Sequence, residues 1–321
     1  MLGRDVSPVE IADIFAAEQR LRKVFPPSPL LNMEFLNQQL GAQVWLKAEN
    51  LLPSGAYKYR GAMNKITSLI ERYGKELRIV TASSGNHGMA CALAARNLGV
   101  QANVVVPVST PQIKKDSIRA LGANLVEVGA TYDESFVSAC ELAEKEHLYY
   151  VHPTSDRYTV GGQGTISLEI LDQCPQVEQI VVPIGGGGLI TGIALTMKTL
   201  KPSVKIYGVM PAVYVESRRQ GQLVTLDHCS SMADAVVRKT GEEYLYPYIE
   251  KYVDDIFTVT EDSIRQAVRT ACLYGKLTLE GSGALALAAL LEKKCPLSPG
   301  TVLICSGGNI DKAVLDLCMQ A

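Results

Sequence analysis

Four short segments of this 321-residue chain combine residue types that can do chemistry. The first is Gly185, Gly186, Gly187 and Gly188, which follows one apolar run and opens another, Leu-Ile-Thr-Gly-Ile-Ala-Leu. Consecutive glycines let backbone N–H groups turn toward one point. A helix start at the same place adds partial positive charge, worth about 0.3–1 kcal/mol to an anion. The segment is a candidate phosphate cradle. A flexible turn is the plainer alternative, but a turn needs one glycine rather than four. It is not a dinucleotide fingerprint, because Thr191 stands where that pattern needs its last glycine, and it lacks the Gly-Lys-Ser/Thr of a nucleotide P-loop.

Ser83, Ser84, Gly85, Asn86, His87 and Gly88 form the second segment, again between an apolar run and a helix-like one. By the same argument it is an anion site, here with small hydroxyls and an amide that suit a carboxylate and a phenolic oxygen. An over-supplied helix cap is the competing reading. Lys58, in Ser-Gly-Ala-Tyr-Lys-Tyr-Arg-Gly-Ala, is one of 31 basic residues and by type alone a surface charge. Its glycine, alanine and aromatic neighbours argue otherwise. A lysine kept among apolar groups loses the hydration of its ammonium form and becomes a usable nucleophile or base. The fourth segment, Cys305-Ser306-Gly307-Gly308-Asn309, can offer the neutral Ser306 hydroxyl to a ring nitrogen beside glycines that let a flat ligand approach, or it is a strand-end turn.

Short apolar runs at 79–82, 102–107, 125–128, 180–184, 205–209 and 301–305 predict buried strands. Amphipathic stretches at 88–98, 112–121, 132–147, 188–200 and 262–274 predict helices between them. Such alternation implies an α/β fold with mostly parallel sheets and helices on both faces. In that architecture, ligands sit at loops beyond the carboxyl ends of strands, where all four segments fall. Only the Lys58 segment lacks a strand directly before it, although 44–47 lies close upstream. A chain this long predicts two lobes. A smaller one is expected over 73–149, and a larger one from 1–72 and 150–321. Near the start, Ser7, Pro8 and Glu10 read as a helix entry with Ser7 as its cap.

Composition excludes several classes. A net charge of −2 without basic–aromatic clusters argues against nucleic-acid or membrane-surface partners. No apolar run is long enough to span a membrane, and the first residues lack a signal peptide's core, so a cytoplasmic protein is expected. The eight cysteines are scattered and form no CxxC pair, which predicts free thiols rather than disulfides or a zinc site.

Together, and in this order, the segments resemble the threonine dehydratase and serine racemase branch of the fold-type-II pyridoxal-phosphate (PLP) enzymes. Gly-Gln-Gly-Thr at 162–165 and Asp-Asp-Ile-Phe-Thr-Val-Thr-Glu at 254–261 strengthen the likeness, which runs from Pro29 to Asn309. The resemblance implies that Lys58 binds the cofactor aldehyde covalently and then serves as the base for the substrate's α-hydrogen. It implies that Gly185 to Gly188 hold the phosphate, Asn86 faces the phenolic oxygen and Ser306 the ring nitrogen. The backbone of Ser83 to His87 would hold the substrate carboxylate. The expected reaction is β-elimination from a small hydroxy-amino acid such as serine or threonine. The alternatives are racemisation, with Ser84 as a second acid–base group, or dehydration of a hydroxyaspartate-type substrate read by Arg238. A homodimer or larger homo-oligomer is expected.

Some residues depart from the pattern. The family has Ser-Phe-Lys where this chain has Ala56-Tyr57-Lys58, and Glu-Pro-Ser-Gly where it has Glu280-Gly281-Ser282-Gly283. Relatives with a divalent-metal site have Glu-Pro where this chain has Met210-Pro211. A thioether is a poor ligand for Mg²⁺ or Ca²⁺, so no metal is expected there.

Overall fold

Each of the six runs expected to be a strand is one, to within a residue at either end. The computed structural model describes residues 3–320. In chain order the elements begin with α1 (Ile11–Leu21), β1 (Leu30–Leu31), α2 (Glu34–Leu40), β2 (Val44–Lys47), α3 (Lys58–Tyr73), β3 (Arg78–Ala82), α4 (Asn86–Leu98) and β4 (Gln101–Val106). Then follow α5 (Gln112–Ala120), β5 (Asn124–Glu127), α6 (Tyr132–Lys145), β6 (Tyr149–Tyr150), α7 (Arg157–Gln173), β7 (Gln179–Pro183) and α8 (Gly188–Leu200). The last are β8 (Lys205–Val209), α9 (Val213–Gln220), α10 (Tyr246–Tyr252), β9 (Asp255–Phe257), α11 (Glu261–Leu273), α12 (Gly281–Leu291), β10 (Thr301–Ile304) and α13 (Lys312–Gln320). No helix among the described residues is long and apolar enough to cross a membrane.

The chain divides into two units, residues 1–25 with 58–163 and residues 26–57 with 164–321. The larger unit carries a six-stranded sheet in the order β1-β2-β10-β7-β8-β9. Its pairs are parallel except β1 with β2. Alternate residues of each strand face opposite ways, so each face has its own core. Val181, Leu303 and Leu46 pack with Ala267 of α11 and Leu287 of α12. Ile180, Val182, Val302 and Ile304 pack with Ile190 and Ile193 of α8. With both faces covered, these strands are apolar throughout rather than alternating, which is why they were legible as short continuous runs.

The smaller unit holds a four-stranded parallel sheet in the order β5-β4-β3-β6. It reaches beyond the expected 73–149 on both sides. Helix α3 packs along α4, α1 packs on α3, and the start of α7 stays with them. The boundary therefore falls between Tyr57 and Lys58 rather than at 72.

The N-terminal helix also begins later than expected. Glu10 occupies its cap position, and the Asp13 carboxylate accepts the Glu10 N–H at 2.9 Å. Ser7 is drawn elsewhere, donating to Asp5 Oδ1 at 2.5 Å and accepting from Arg157 at 2.9 Å. A charged network thus outcompetes a helix cap.

Asp156 braces the smaller unit. One carboxylate oxygen accepts from Lys65 Nζ at 2.6 Å and from the Asp5 N–H at 2.9 Å. The other accepts the N–H groups of Tyr158 and Thr159 at 3.0 and 3.1 Å, which caps α7. Both Lys65 and Asp156 are essentially inaccessible to solvent. Removing one partner of such a pair strands a buried charge. Lys65→Met is therefore expected to destabilise the protein by about 3–5 kcal/mol, and Lys65→Met with Asp156→Asn by less than the two single changes added together. Chemical denaturation of the three variants checks this; additive losses would show that the pair is not coupled.

Candidate functional site

Within the smaller unit, Lys58 opens α3 and the Ser83–Gly88 segment leads from β3 into α4, and the two helices pack side by side. Lys58 is the first residue of α3, is half-buried, and donates from Nζ to the Pro153 carbonyl at 2.7 Å. The helix then buries eight residues in succession, Tyr59 to Ile66. Gly61 is required there, because a Cβ would lie 2.9 Å from the Thr159 carbonyl oxygen. Gly162 faces it, where a Cβ would lie 2.7 Å from the Arg60 carbonyl oxygen. The glycine of Gly-Gln-Gly-Thr at 162 thus lets α3 and α7 approach backbone to backbone.

The chain leaves β3 with the Ser83 N–H still bonded to Val105 O at 3.1 Å and turns into α4 through Gly85, its cap residue. Ser83 Oγ accepts the Gly85 N–H at 3.3 Å. The first helical bond runs from Met89 N to Gly85 O. The N–H groups of His87 and Gly88 lie in the turn ahead of it. Gly88 packs so tightly on the Ser83 carbonyl that no side chain fits. Ser84 is half-buried.

His87 is buried. Its Nε2 lies 3.0 Å from the Val151 carbonyl, which can only accept, so Nε2 carries the proton. Desolvation, and secondly the nearby charge of Lys58, lower its pKa to about 3. The ring is neutral and serves as a fixed spacer rather than an acid. Beside it the Cys91 thiol, 3.5 Å from Nε2, is held protonated by burial. No local pattern marks the loop at 151–156, whose carbonyls hold both Lys58 and His87. The loop is itself tied down where His152 Nδ1 accepts the N–H groups of Thr154 and Ser155 at 3.2 and 2.8 Å.

In the larger unit the other two segments lie on neighbouring strands. Leu303 of β10 pairs with Val181 of β7, and continuing that register sets Ser306 level with Ile184. The chain runs outward from β7 to β8 and β9 and returns to place β10 on the other side of β7. Strand order reverses between them, the point where open α/β sheets bind ligands. Ser306 is buried, and its hydroxyl makes a long contact, 3.4 Å, to the Ser282 carbonyl. The backbone of residues 55–57 is zipped to this loop by an Ala56–Gly307 bridge, by Tyr57 N to Ser306 O at 3.0 Å and by Gly308 N to Gly55 O at 2.9 Å. Lys58 is the next residue in the chain.

The glycine loop suits a phosphate. Gly187 has φ +99°, and a Cβ on it would lie 2.8 Å from Ile249 Cδ1. The first helical bond, Thr191 N to Gly187 O at 2.9 Å, leaves the N–H groups of Gly188, Leu189 and Ile190 ahead of it. The Thr191 hydroxyl is buried without a hydrogen-bond partner among the described residues, as is that of Ser282 near Ser306. Tyr214, which sequence reading did not single out, donates from its hydroxyl to Gly186 O at 3.0 Å and accepts the Glu242 N–H at 2.9 Å. A phosphate cradle and a neutral partner for a ring nitrogen at adjacent strand ends fit PLP.

The profile of the family described as pyridoxal-phosphate dependent enzyme matches residues 21–307. The chain belongs to that family. This PLP enzyme is 36% identical over 312 residues to the L-threonine ammonia-lyase of Thermotoga maritima, covering 96% of this chain and 77% of that one. It is 38% identical over 323 residues to the serine racemase of Rattus norvegicus, covering 98% and 97%. Among solved structures it matches maize serine racemase with a TM-score of 0.90 and 32% identity, covering 98% of each chain. These relatives lie in the branch that the motifs resemble.

Other expected features are placed as follows. Met210 is buried, its sulfur 3.2 Å from the Tyr214 N–H. Glu216 is bonded by Arg219 and Gln220, which lower its pKa to about 2. The eight cysteines are free, and burial, with a lesser push from Glu49, raises Cys305 to about 12.

The depressed His87 pKa ties stability to pH. Between its ordinary value of 6.5 and about 3, the unfolded chain binds a proton that the folded protein does not. Stability is thus greatest above that window and falls as pH drops through it, by up to about 1.4 kcal/mol per pH unit. The stability difference between the parent and His87→Gln is expected to shrink from about pH 7 to pH 4, measured by urea unfolding. A constant difference would mean that His87 titrates normally.

Proposed function

We propose that this enzyme catalyses β-elimination from a small hydroxy-amino acid of the serine or threonine type, yielding a 2-oxo acid and ammonia. The carrying observation is the Lys58 amine, held at the Pro153 carbonyl beside a neutral His87. When bound, PLP supplies an electron-accepting ring joined to the substrate nitrogen, which acidifies the α-hydrogen. Lys58 removes that hydrogen. Gly185, Gly186, Gly187 and Gly188 hold the phosphate, Asn86 faces the phenolic oxygen, and the backbone of Ser83, Ser84, Gly85, Asn86 and His87 receives the substrate carboxylate. Ser306 meets the ring nitrogen with an uncharged hydroxyl. It cannot hold a proton there, which weakens the electron sink and favours prompt loss of the β-hydroxyl over build-up of charge at Cα. The ammonia-lyase relatives support this reading.

The half-buried Ser84 at the start of α4, together with the racemase relatives, supports a second reading, interconversion of L and D forms. Elimination needs a base on one face only; racemisation needs a second group to return the hydrogen from the other.

Borohydride treatment of the holoenzyme is expected to fix the cofactor to the peptide containing Lys58. Lys58→Ala is expected to abolish both this fixation and essentially all 2-oxo acid release. Fixation at another lysine would remove Lys58 from the reaction. Ser84→Ala is expected to retain most elimination of the L-substrate while losing interconversion of L and D forms and elimination of the D form. Retained racemisation would take Ser84 out of the chemistry, and equal loss of all three would make it a positioning residue. Gly187→Val is expected to weaken retention of PLP in equilibrium dialysis far more than it lowers the melting temperature in excess PLP. Unchanged retention would show that the loop is not the cradle.

A further inference from the structure

Glycine gives the loop at 185–188 its shape but nothing to keep it. A glycine populates positive and negative φ about equally, so the peptide between two glycines turns over at little cost. Gly187 sits at φ +99° and ψ −12°. Rotating the Gly186–Gly187 peptide by half a turn would bring that φ into the ordinary negative range and exchange the directions of its carbonyl and N–H. Yet Gly186, Gly187 and Gly188 are buried, and their N–H groups meet no acceptor among the described residues. Buried amides are nearly always paired, so a loop that keeps three open toward a ligand must be held from outside.

One side chain holds it. Tyr214, on α9 and inaccessible to solvent, donates its hydroxyl proton to Gly186 O at 3.0 Å. In a trans peptide the carbonyl and the following N–H point in opposite directions. Fixing the Gly186 carbonyl therefore aims the Gly187 N–H away from the phenol. The phenol is itself fixed on several sides. Its oxygen accepts the Glu242 N–H at 2.9 Å, its backbone N–H lies 3.2 Å from the Met210 sulfur, and its ring stacks on Tyr246 with centroids 6.4 Å apart. A Cβ on Gly241 would lie 2.5 Å from Tyr214 Cε1, and one on Gly187 3.2 Å from the hydroxyl, so neither ring nor oxygen has room to shift. Burial keeps the hydroxyl protonated and so able to donate.

We propose that Tyr214 is a positioning residue for the cofactor phosphate: its hydroxyl locks the Gly186–Gly187 peptide in the orientation that presents the Gly187 N–H to the anion. This rests on the glycine loop being the phosphate cradle and is independent of which amino acid the enzyme takes. Without the lock, the peptide is free to turn a carbonyl oxygen toward the phosphate, and two electron-rich groups repel. The lock therefore acts on the phosphate alone and leaves the binding of the pyridine ring untouched.

The test measures binding of PLP and of pyridoxal, which lacks the phosphate, to the full chain by equilibrium dialysis. Tyr214→Phe is expected to raise the Kd for PLP about 3- to 10-fold while leaving that for pyridoxal unchanged. The phosphorus resonance of PLP bound to this variant is expected to move from its position in the parent. A general loosening of the fold would weaken both compounds alike, so parallel losses would overturn the inference. An unchanged Kd for PLP with an unmoved phosphorus resonance would overturn it too, and leave the cradle standing. A parent that binds pyridoxal as tightly as PLP would overturn both readings. Should Tyr214→Phe not fold, Gly241→Ala displaces the same ring through its Cβ and is judged by the same ratio.

Discussion

The smaller unit depends on one buried carboxylate. Asp156 serves four donors at once: the Lys65 ammonium, the Asp5 N–H and the two N–H groups that begin α7. Taking a charge out of water costs several kcal/mol unless its partners are in place, so these contacts form as a set or not at all. Asp156 thereby fixes the end of the loop at 151–156. The carbonyls of Val151 and Pro153 in that loop position His87 and Lys58. The placement of the Lys58 amine thus traces to an ion pair about two turns along its own helix.

The larger unit solves a different problem with backbone alone. Two of its loops sit at adjacent strand ends where strand order reverses, and Gly187 and Gly308 in them leave no room for an added carbon. The glycine loop offers an anion N–H groups and a helix start rather than lysine or arginine. Such donors are held at a fixed position and need no side-chain ordering. The nearby Tyr57 and Tyr214 hydroxyls stay protonated through desolvation, and Ser306 carries no charge.

Much of this was legible because glycines and strand ends leave strong local marks. The tetraglycine, the Ser83–Gly88 segment and the Ser306 segment each follow a continuous apolar run, the signature of a strand buried on both faces. Lys58 was marked by small and aromatic neighbours. Local marks also misled. Ser7, Pro8 and Glu10 read as a helix start, yet Asp5 and Arg157 claim Ser7, and the helix starts at Ile11. The stretch 73–149 reads as a compact set of strand–helix units, which puts the lobe boundary at 72. The packing of α3 on α4, which no pattern within α3 announces, moves the boundary to Lys58.

The sequence by itself determined the order of elements, the α/β class and the loops able to hold an anion. Each of these follows from periodicity or from backbone freedom within a few neighbouring residues. Tertiary structure decided which polar groups face one another. The pairing of Lys58 with Pro153, His87 with Val151, Tyr214 with Gly186 and Lys65 with Asp156 joins residues tens of positions apart. Such pairings arise when burial forces every polar group to find a partner, and that demand exists only once the chain has closed around it.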